Sequence, residues 1–486
     1  MELREIPIEG YERVLQCHDG PSGLQAIIAI HDTTSGPALG GLRMWPYTTR
    51  HHALRDALRL ARGMTYQSAV AETGFGGGKA VVLGDAQRDK TTCLLRAMGR
   101  CVDRLDGQYI TAEDVGTSVE DMLVVRQETP YVVGLPRAMG SSGDPAPFTA
   151  LGVFLGLRTC VEWALHTTDL RGIRVAVQGG GNVASHLCKH LHQAGARLIV
   201  TDVVPAKAQR LAQQYGARLV APEEIYALPC EVYAPCALGG TLNDHTIPRL
   251  QCQIVAGSAN NQCLWEEHGD HLRQRGIVYA PDFVMNAGGL LNVAMELTPA
   301  GYNEARVLER VRHIATTVRT VLATAAHEGI STHRAAIRLA EQKLATVRQA
   351  KVYGPAGSET PGEVSVGGAR VRHRRRSTPT SASTQRRQLQ YSEDVLRQSE
   401  GEHGLGGEEE GMRAFPNFGN IRDNATAFHL AMDMIEHGHV AWGRAVLARL
   451  REHLQTTHDI KSVQWILPDV EAALQRFSCD EQHEMR

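Results

Sequence analysis

Aromatic residues make up only 5% of the 486-residue chain, and charge of neither sign dominates: 51 Lys and Arg stand against 53 Asp and Glu, a net charge of −2. A chain so balanced has no global attraction for nucleic acid or an anionic membrane, so any such attraction must be local. Ten cysteines are too dilute for a disulfide scaffold, and no two form a CxxC pair, so they read as reduced core residues. No uninterrupted apolar run approaches membrane-spanning length, and MELREIPIEG has neither a basic nor an apolar leader segment. The expectation is a soluble, cytoplasmic protein with no membrane or nucleic-acid partner.

What the chain does have is glycine, 48 residues of it, and 43% hydrophobic residues, a composition that suits an Ala- and Gly-rich α/β protein. Its length allows two to four domains. Apolar runs, helical periodicity and Gly-rich turns alternate up to about residue 352. Residues 353–412 then become rich in Gly, Ser, Thr, Pro, Arg and Glu and read as a disordered linker, with an arginine cluster at Arg370, Arg372, Arg374, Arg375 and Arg376 and an acidic one at Glu408, Glu409 and Glu410. Residues 413–486 regain helical spacing, as in Val446, Leu447, Leu450 and Leu454, and form a small helical unit of unassigned role that could engage a protein partner.

The most legible stretch is RGIRVAVQGGGNVASHLCKHLHQAGARLIVTD, residues 171–202. Ile173 to Val177 reads as a buried strand and Val183 to Leu191 as a helix. Gly179, Gly181 and Ala184 between them fit GxGxxA. The first glycine permits the tight turn, the second lets backbone N–H groups approach a pyrophosphate at the helix N-terminus, and the small third residue lets helix and strand pack closely. Gly180, Asn182 and Val183 complete the cradle. A second strand, Arg197 to Thr201, ends in Asp202, about twenty residues on, where a carboxylate can accept from ribose hydroxyls and would repel a 2′-phosphate. The expected cofactor is NAD. Further parallel strands are read at 231–234, 253–256 and 276–280, with ligand-facing loops PCALGG and GSANNQ after the first two.

Upstream lie GPALGGLRM (36–44), RGMTYQSAVAETGFGGGKAVV (62–82) and YITAEDVGT (109–117). Lys79 follows three glycines in an apolar segment, where poor solvation would lower its pKa toward that of a useful base. Asp114 ends an apolar strand-like stretch, a natural place for a second proton-transfer group. Each is equally open to a reading as a surface charge.

Taken in order, GPALGG, RGMTY, GGGKAV, YITAEDVGT, GGGNVA, YAPCALG, VAGSANNQ and GIVYAPDFVMNAGGLLNV resemble the Glu/Leu/Phe/Val dehydrogenase family, and its leucine dehydrogenase-like members most of all. The resemblance runs from near the N-terminus to about residue 350. It implies a substrate domain (1–135) joined by a returning C-terminal helix (331–352), an NAD-binding Rossmann domain (136–330), and a homo-oligomer. The implied reaction is the reversible oxidative deamination of a branched-chain L-amino acid to a 2-oxo acid and ammonia. Lys79 would activate water and Asp114 would shuttle protons to the nitrogen. The backbone at Gly40 and Gly41 would border the substrate, while Ala112, Leu290 and Val293 would wall an aliphatic pocket. Thr149 and Asn260 would hold the nicotinamide carboxamide, with Ala237 against the cofactor. No metal is expected. Leucine dehydrogenases usually carry a smaller valine where Leu290 stands, a change that can favour shorter substrates by about 1–3 kcal/mol per methylene.

One position departs from the family. The tyrosine of RGMTY is followed there by a lysine that pairs with the substrate α-carboxylate; this chain has Gln67. Charge-assisted hydrogen bonds are roughly twice as strong as neutral ones, so its loss matters. Three explanations stand: Arg43 or another cation compensates, the substrate is not a simple α-amino acid, or efficient turnover has been lost. The last would leave an NAD-binding regulatory or scaffold protein.

Overall fold

The computed structural model describes residues 1–353, two short strands at 363–366 and 369–372, and the isolated positions Ala448 and Arg451. The chain divides into two compact units, Met1–Glu5 with Val14–His373, and Ile6–Arg13 with Arg374–Arg486. Almost everything described belongs to the first.

That unit is built on two six-stranded sheets. The first comprises β1 (Glu2–Glu5), β2 (Arg13–Asp19), β3 (Leu24–Asp32), β4 (Ala38–Trp45), β5 (Gly76–Leu83) and β6 (Tyr109–Glu113), in spatial order β1-β2-β3-β5-β4-β6. β3 runs antiparallel to β5, while β4 lies parallel to both β5 and β6. Parallel neighbours need crossovers, which helices supply. They are α1 (Arg50–Val70), between β4 and β5, and α2 (Thr92–Asp103), between β5 and β6. Both start on a threonine cap: Thr49 Oγ1 accepts from His52 N–H at 3.1 Å, and Thr91 Oγ1 from Leu94 N–H at 3.2 Å. After β6, α3 (Val119–Arg126) opens on a capping box formed by Ser118 and Asp121.

The second sheet is wholly parallel: β7 (Arg174–Gln178), β8 (Arg197–Thr201), β9 (Arg218–Leu219), β10 (Val232–Pro235), β11 (Ile254–Val255) and β12 (Val278–Tyr279), in order β12-β11-β10-β7-β8-β9. The chain therefore reverses its direction of travel across the sheet between β7 and β10, and open α/β sheets bind ligands at such a switch point. The expected strands are all present, offset by a residue or two, and Arg197–Thr201 coincides with its expected range. α4 (Ala146–Leu165) precedes β7; α5 (Asn182–Gln193) and α6 (Pro205–Tyr215) follow β7 and β8; α7 (His268–Gln274) precedes β12. α4 is long and apolar enough by composition to cross a membrane, but half of that stretch is buried inside the protein, against α5 and the later helices.

After β12 come two short helices, α8 (Asp282–Met285) and α9 (Ala287–Met295), then the long α10 (Glu304–Glu328) and α11 (Thr332–Tyr353). α11 ends beside the first sheet, where Arg348 donates to Asp32 at 2.6 Å and Lys351 to the Thr34 carbonyl at 2.6 Å. Within the segment read as a linker, Glu363–Val366 and Ala369–Arg372 pair as an antiparallel hairpin, β13 and β14. The rest of that segment, and the helical unit at 413–486 apart from Ala448 and Arg451, lie outside the described residues. The described cysteines are free; most are buried, but Cys93 is exposed, against the expectation of a core residue, because it sits in the first turn of α2 on its outer face.

Candidate active site

β4 lies between β5 and β6, and it carries Gly40 and Gly41 where its two neighbours carry functional groups. A Cβ on Gly40 would sit 1.8 Å from the Gly78 carbonyl oxygen; one on Gly41 would sit 2.8 Å from Asp114 Cβ. With no side chain at Gly41 in the way, Lys79 of β5 reaches Asp114, just past β6, at Nζ–Oδ2 2.5 Å. Arg43, two residues further along β4, donates from Nε to the other oxygen of Asp114 at 2.9 Å, and from Nη1 to Asp56 of α1 at 2.9 Å. Tyr47 donates its hydroxyl to the same Asp56 oxygen at 2.6 Å. The Gly40 and Gly41 carbonyls accept from the Tyr109 hydroxyl at 2.8 and 3.2 Å, which fixes the strand from the β6 side.

The electrostatics follow from burial and pairing. Lys79 is only 1% exposed. Burial pushes its ammonium below the usual range; Asp114 pulls the other way and the Arg43 charge adds to the lowering. For Asp114, burial works toward the neutral acid, but Lys79 and Arg43 overcome it and hold the carboxyl well below the ordinary carboxylate value. The site is thus a lysine biased toward giving up its proton, beside a carboxylate biased toward keeping its charge. That is the separation of roles that acid–base chemistry needs.

Gln67, which the resemblance sets where a carboxylate-binding lysine is expected, lies on α1 and is 6% exposed. Its Nε2 donates to Asn286 Oδ1 at 2.6 Å; Asn286 Nδ2 in turn donates to Asn260 Oδ1 at 2.6 Å and to the Ser258 carbonyl at 3.1 Å. A row of three carboxamides therefore runs from α1 to the loop after β11. Arg43, offered above as a compensating cation, gives its Nε and Nη1 to Asp114 and Asp56.

Ala112, Leu290 and Val293 come together from β6 and α9 in one buried cluster with Leu39, Phe75 and Val133. α9 reaches this place because of the glycines at its start. A Cβ on Gly288 would lie 2.1 Å from the Phe148 carbonyl oxygen, and one on Gly289 2.4 Å from Thr149 Oγ1. Thr149 is accordingly in the first turn of α4, directly against α9.

At the switch point the turn after β7 meets the loop after β10. Gly179 has φ 111°, and a Cβ there would lie 2.8 Å from the Cys236 carbonyl oxygen and 3.1 Å from Ala237 N. A Cβ on Gly181 would meet nothing within 4 Å, and Gly181 caps α5 without any side-chain hydrogen bond. Open space above an uncapped helix N-terminus fits a pyrophosphate. Asn182 and Val183 begin that helix, and Ala184 is buried against the sheet. Asp202 lies just past β8, as expected, but its carboxylate is also a structural anchor. It accepts from Gly180 N–H at 2.7 Å and from Val204 N–H at 2.7 Å, which braces the glycine turn.

Three features escaped sequence reading. Asn286 stands in the quoted NAGG run, yet nothing in its spacing marks it as the middle of a hydrogen-bonded row. Asp56 has no local signal at all. Glu113, beside Asp114, has its carboxyl pushed up to about 7 by burial and by Asp144, Glu120 and Asp114 around it. Elsewhere, Asp244, His268 and His271 group closely, but both ring nitrogens of His268 are engaged: Nδ1 accepts from Trp265 N–H at 2.9 Å and Nε2 faces Asp244 at 3.2 Å. A cavity of about 300 Å³ near Leu291, Arg310 and Lys343 includes neither Lys79 nor Asp114.

A parallel-sheet nucleotide cradle paired with a buried lysine–aspartate couple and a buried apolar cluster fits a dinucleotide-dependent oxidoreductase. Comparison with known proteins gives the particular lineage. Residues 11–131 match the Glu/Leu/Phe/Val dehydrogenase dimerisation domain, and residues 140–203 and 200–351 match the Glutamate/Leucine/Phenylalanine/Valine dehydrogenase model. The chain belongs to the Glu/Leu/Phe/Val dehydrogenase family, whose members are NAD-dependent amino acid dehydrogenases. It is 52% identical over 341 residues to leucine dehydrogenase of Bacillus cereus, covering 70% of this chain and 93% of that protein. It is 48% identical over 343 residues to L-tryptophan dehydrogenase of Nostoc punctiforme, with 70% and 96% covered. The crystal structure of that Nostoc enzyme superposes with a TM-score of 0.57 over 70% of this chain and 97% of that one, at 47% identity. Hetero-hexameric glutamate dehydrogenase from Thermus thermophilus (Leu bound form) superposes with a TM-score of 0.59 at 25% identity, covering 72% and 88%.

Proposed function

We propose that the protein catalyses the reversible oxidative deamination of a branched-chain L-amino acid, leucine or valine in type, to its 2-oxo acid and ammonia. The observation that carries this reading is the buried Lys79–Asp114 pair, held by Arg43 next to the aliphatic cluster of Ala112, Leu290 and Val293. The chemistry that NAD would supply when bound is that of a hydride acceptor for the substrate α-carbon. Its pyrophosphate is assigned to Gly179, Gly180, Gly181, Asn182, Val183 and Ala184, its ribose to Asp202, and its carboxamide to Thr149 and Asn260, with Ala237 alongside.

The chain's own residues manage the protons. Asp114, kept ionised by Arg43, takes a proton from the substrate ammonium so that the nitrogen lone pair can assist hydride departure. Lys79, whose neutral form burial favours, takes a proton from the water that attacks the resulting iminium carbon. Asp114 then returns a proton to the nitrogen and ammonia leaves. Proton transfer by a positioned group contributes about 10²–10⁴-fold, so Lys79→Met is expected to lower kcat/KM by that order. In this reading residues 1–135 and 331–352 serve the substrate, residues 136–330 serve NAD, and the chain works as a cytoplasmic homo-oligomer.

The test is NADH formation from a panel of branched-chain and aromatic L-amino acids, for the natural protein and for Gln67→Lys. If neither turns over any member, the reading fails. A regulatory NAD-binding role draws support from one observation, the neutral Gln67 where the family carries a cation; tight NADH binding without turnover by either protein would favour it.

A further inference from the structure

The row of carboxamides has a fixed polarity. The Ser258 carbonyl can only accept, so the group Asn286 presents to it must be its Nδ2, and the second N–H of that nitrogen goes to Asn260 Oδ1. Asn286 Oδ1 is thereby left to face α1 as an acceptor. Gln67 can meet it only with its own Nε2, as it does at 2.6 Å. Its Oε1 must then point away from the row. Among the described residues Oε1 has no hydrogen-bond partner, and it is not among the buried unsatisfied atoms, so solvent reaches it. Gln67 therefore offers incoming ligands one open acceptor and the remaining N–H of Nε2, and no charge.

That combination suits a carboxamide and opposes a carboxylate. A carboxamide donates from nitrogen to Oε1 and accepts at oxygen from Nε2, satisfying both groups; a carboxylate can use only the N–H, and its second oxygen faces the lone pairs of Oε1. Beside the reacting centre Lys79 is paired with Asp114, and Arg43 gives its Nε to Asp114 and its Nη1 to Asp56. A site that hydrogen-bonds a substrate group discriminates strongly against an analogue that leaves buried polar atoms unpaired.

We infer that the substrate site, on the deamination reading above, takes α-amino amides with an aliphatic side chain, the carboxamide seated on Gln67 where an amino acid would place its carboxylate. The reaction balances as before. An amino amide carrying its ammonium, one water and one NAD⁺ give a 2-oxo amide, ammonium, NADH and one proton. The C–H and C–N bonds at the α-carbon break, a C=O bond forms from the water oxygen, the carbon is oxidised and the nicotinamide is reduced. The amide bond is untouched.

The experiment measures initial rates of NAD reduction by the full chain with L-leucine, L-leucinamide and 3-methylbutylamine, which lacks the carboxyl group, for the natural protein and Gln67→Lys. A neutral hydrogen bond gained against an acceptor–acceptor clash corresponds to about tenfold or more, so the expected result is leucinamide at least about tenfold above leucine in kcat/KM, with the order reversed in Gln67→Lys. Leucine equal to or above leucinamide in the natural protein overturns the inference. So does 3-methylbutylamine matching leucinamide, since the carboxamide would then contribute nothing. If the natural protein oxidises none of the three while Gln67→Lys oxidises leucine, the amide inference falls and the deamination reading stands. If Gln67→Lys is also silent toward all, the deamination reading itself falls and takes this inference with it.

Discussion

Lys79 and Asp114 meet across a strand that belongs to neither of them: one lies on β5, the other just past β6, and their side chains join at 2.5 Å over the Gly40–Gly41 stretch of β4. Gly41 is therefore part of the ion pair's geometry, because a Cβ there would lie 3.1 Å from Asp114 Oδ2, whereas one on Gly40 would strike the Gly78 carbonyl of β5.

Gly41→Ala tests this directly. Its new Cβ would sit 2.8 Å from Asp114 Cβ and 2.9 Å from the Glu113 carbonyl oxygen, so Asp114 must move. Overpacking of this kind costs about 1–3 kcal/mol, which should leave the protein folded by circular dichroism, while displacement of a reacting group by about 1 Å can cost about 10²-fold in rate. Activity falling no further than stability alone accounts for would count against the arrangement.

Arg43→Met should alter the pH profile rather than the fold alone. The Arg43 charge lowers both Lys79 and Asp114. Without it both values rise, so Lys79 stays protonated to higher pH and the acidic limb of the kcat/KM profile moves upward. An unmoved limb with a uniformly lower rate would show that Arg43 serves packing only.

Glu113 gives a stability signature. Burial first, then the neighbouring carboxylates, push its carboxyl from 4.5 up to about 7. The folded chain thus holds a proton that the unfolded chain has lost. The stability this group contributes is present below pH 4.5 and disappears as pH rises through about 7. Glu113→Gln should raise Tm at pH 8 relative to the natural protein and change it little at pH 4; an equal shift at both would contradict the assignment.

In the proposed function Leu290 walls the substrate side chain with Ala112 and Val293, with which it shares one buried cluster. Leu290→Val removes one methylene and should shift the ratio of kcat/KM toward the longer of two side chains by about 10-fold, within the 1–3 kcal/mol such a group is worth. Comparison of leucine-type with valine-type substrates, as acids and as amides, reads the shift, and an unchanged ratio would place Leu290 in the core alone.

Much of this was legible without coordinates because the signals are local. The GxGxxA turn works through its own backbone, so the spacing of Gly179, Gly181 and Ala184 sufficed to find it. Lys79 stood out because three glycines in an apolar run leave few neighbours to solvate it. Asp56 and Asn286 were invisible for the opposite reason: they act on residues 13 and 219 positions away, Arg43 and Gln67, and no local pattern encodes such a pairing.

The sequence by itself determined the α/β class, the nucleotide turn, the lineage carried by its ordered motifs, and the loss of a cation at position 67, since each is a matter of residue type and short-range spacing. Only the tertiary structure decided which way the Gln67 carboxamide is turned. The direction of every hydrogen bond from Ser258 to Gln67 is set by one backbone carbonyl that can accept but never donate, and that constraint exists only once the loop after β11, the start of α9 and helix α1 have been folded against one another.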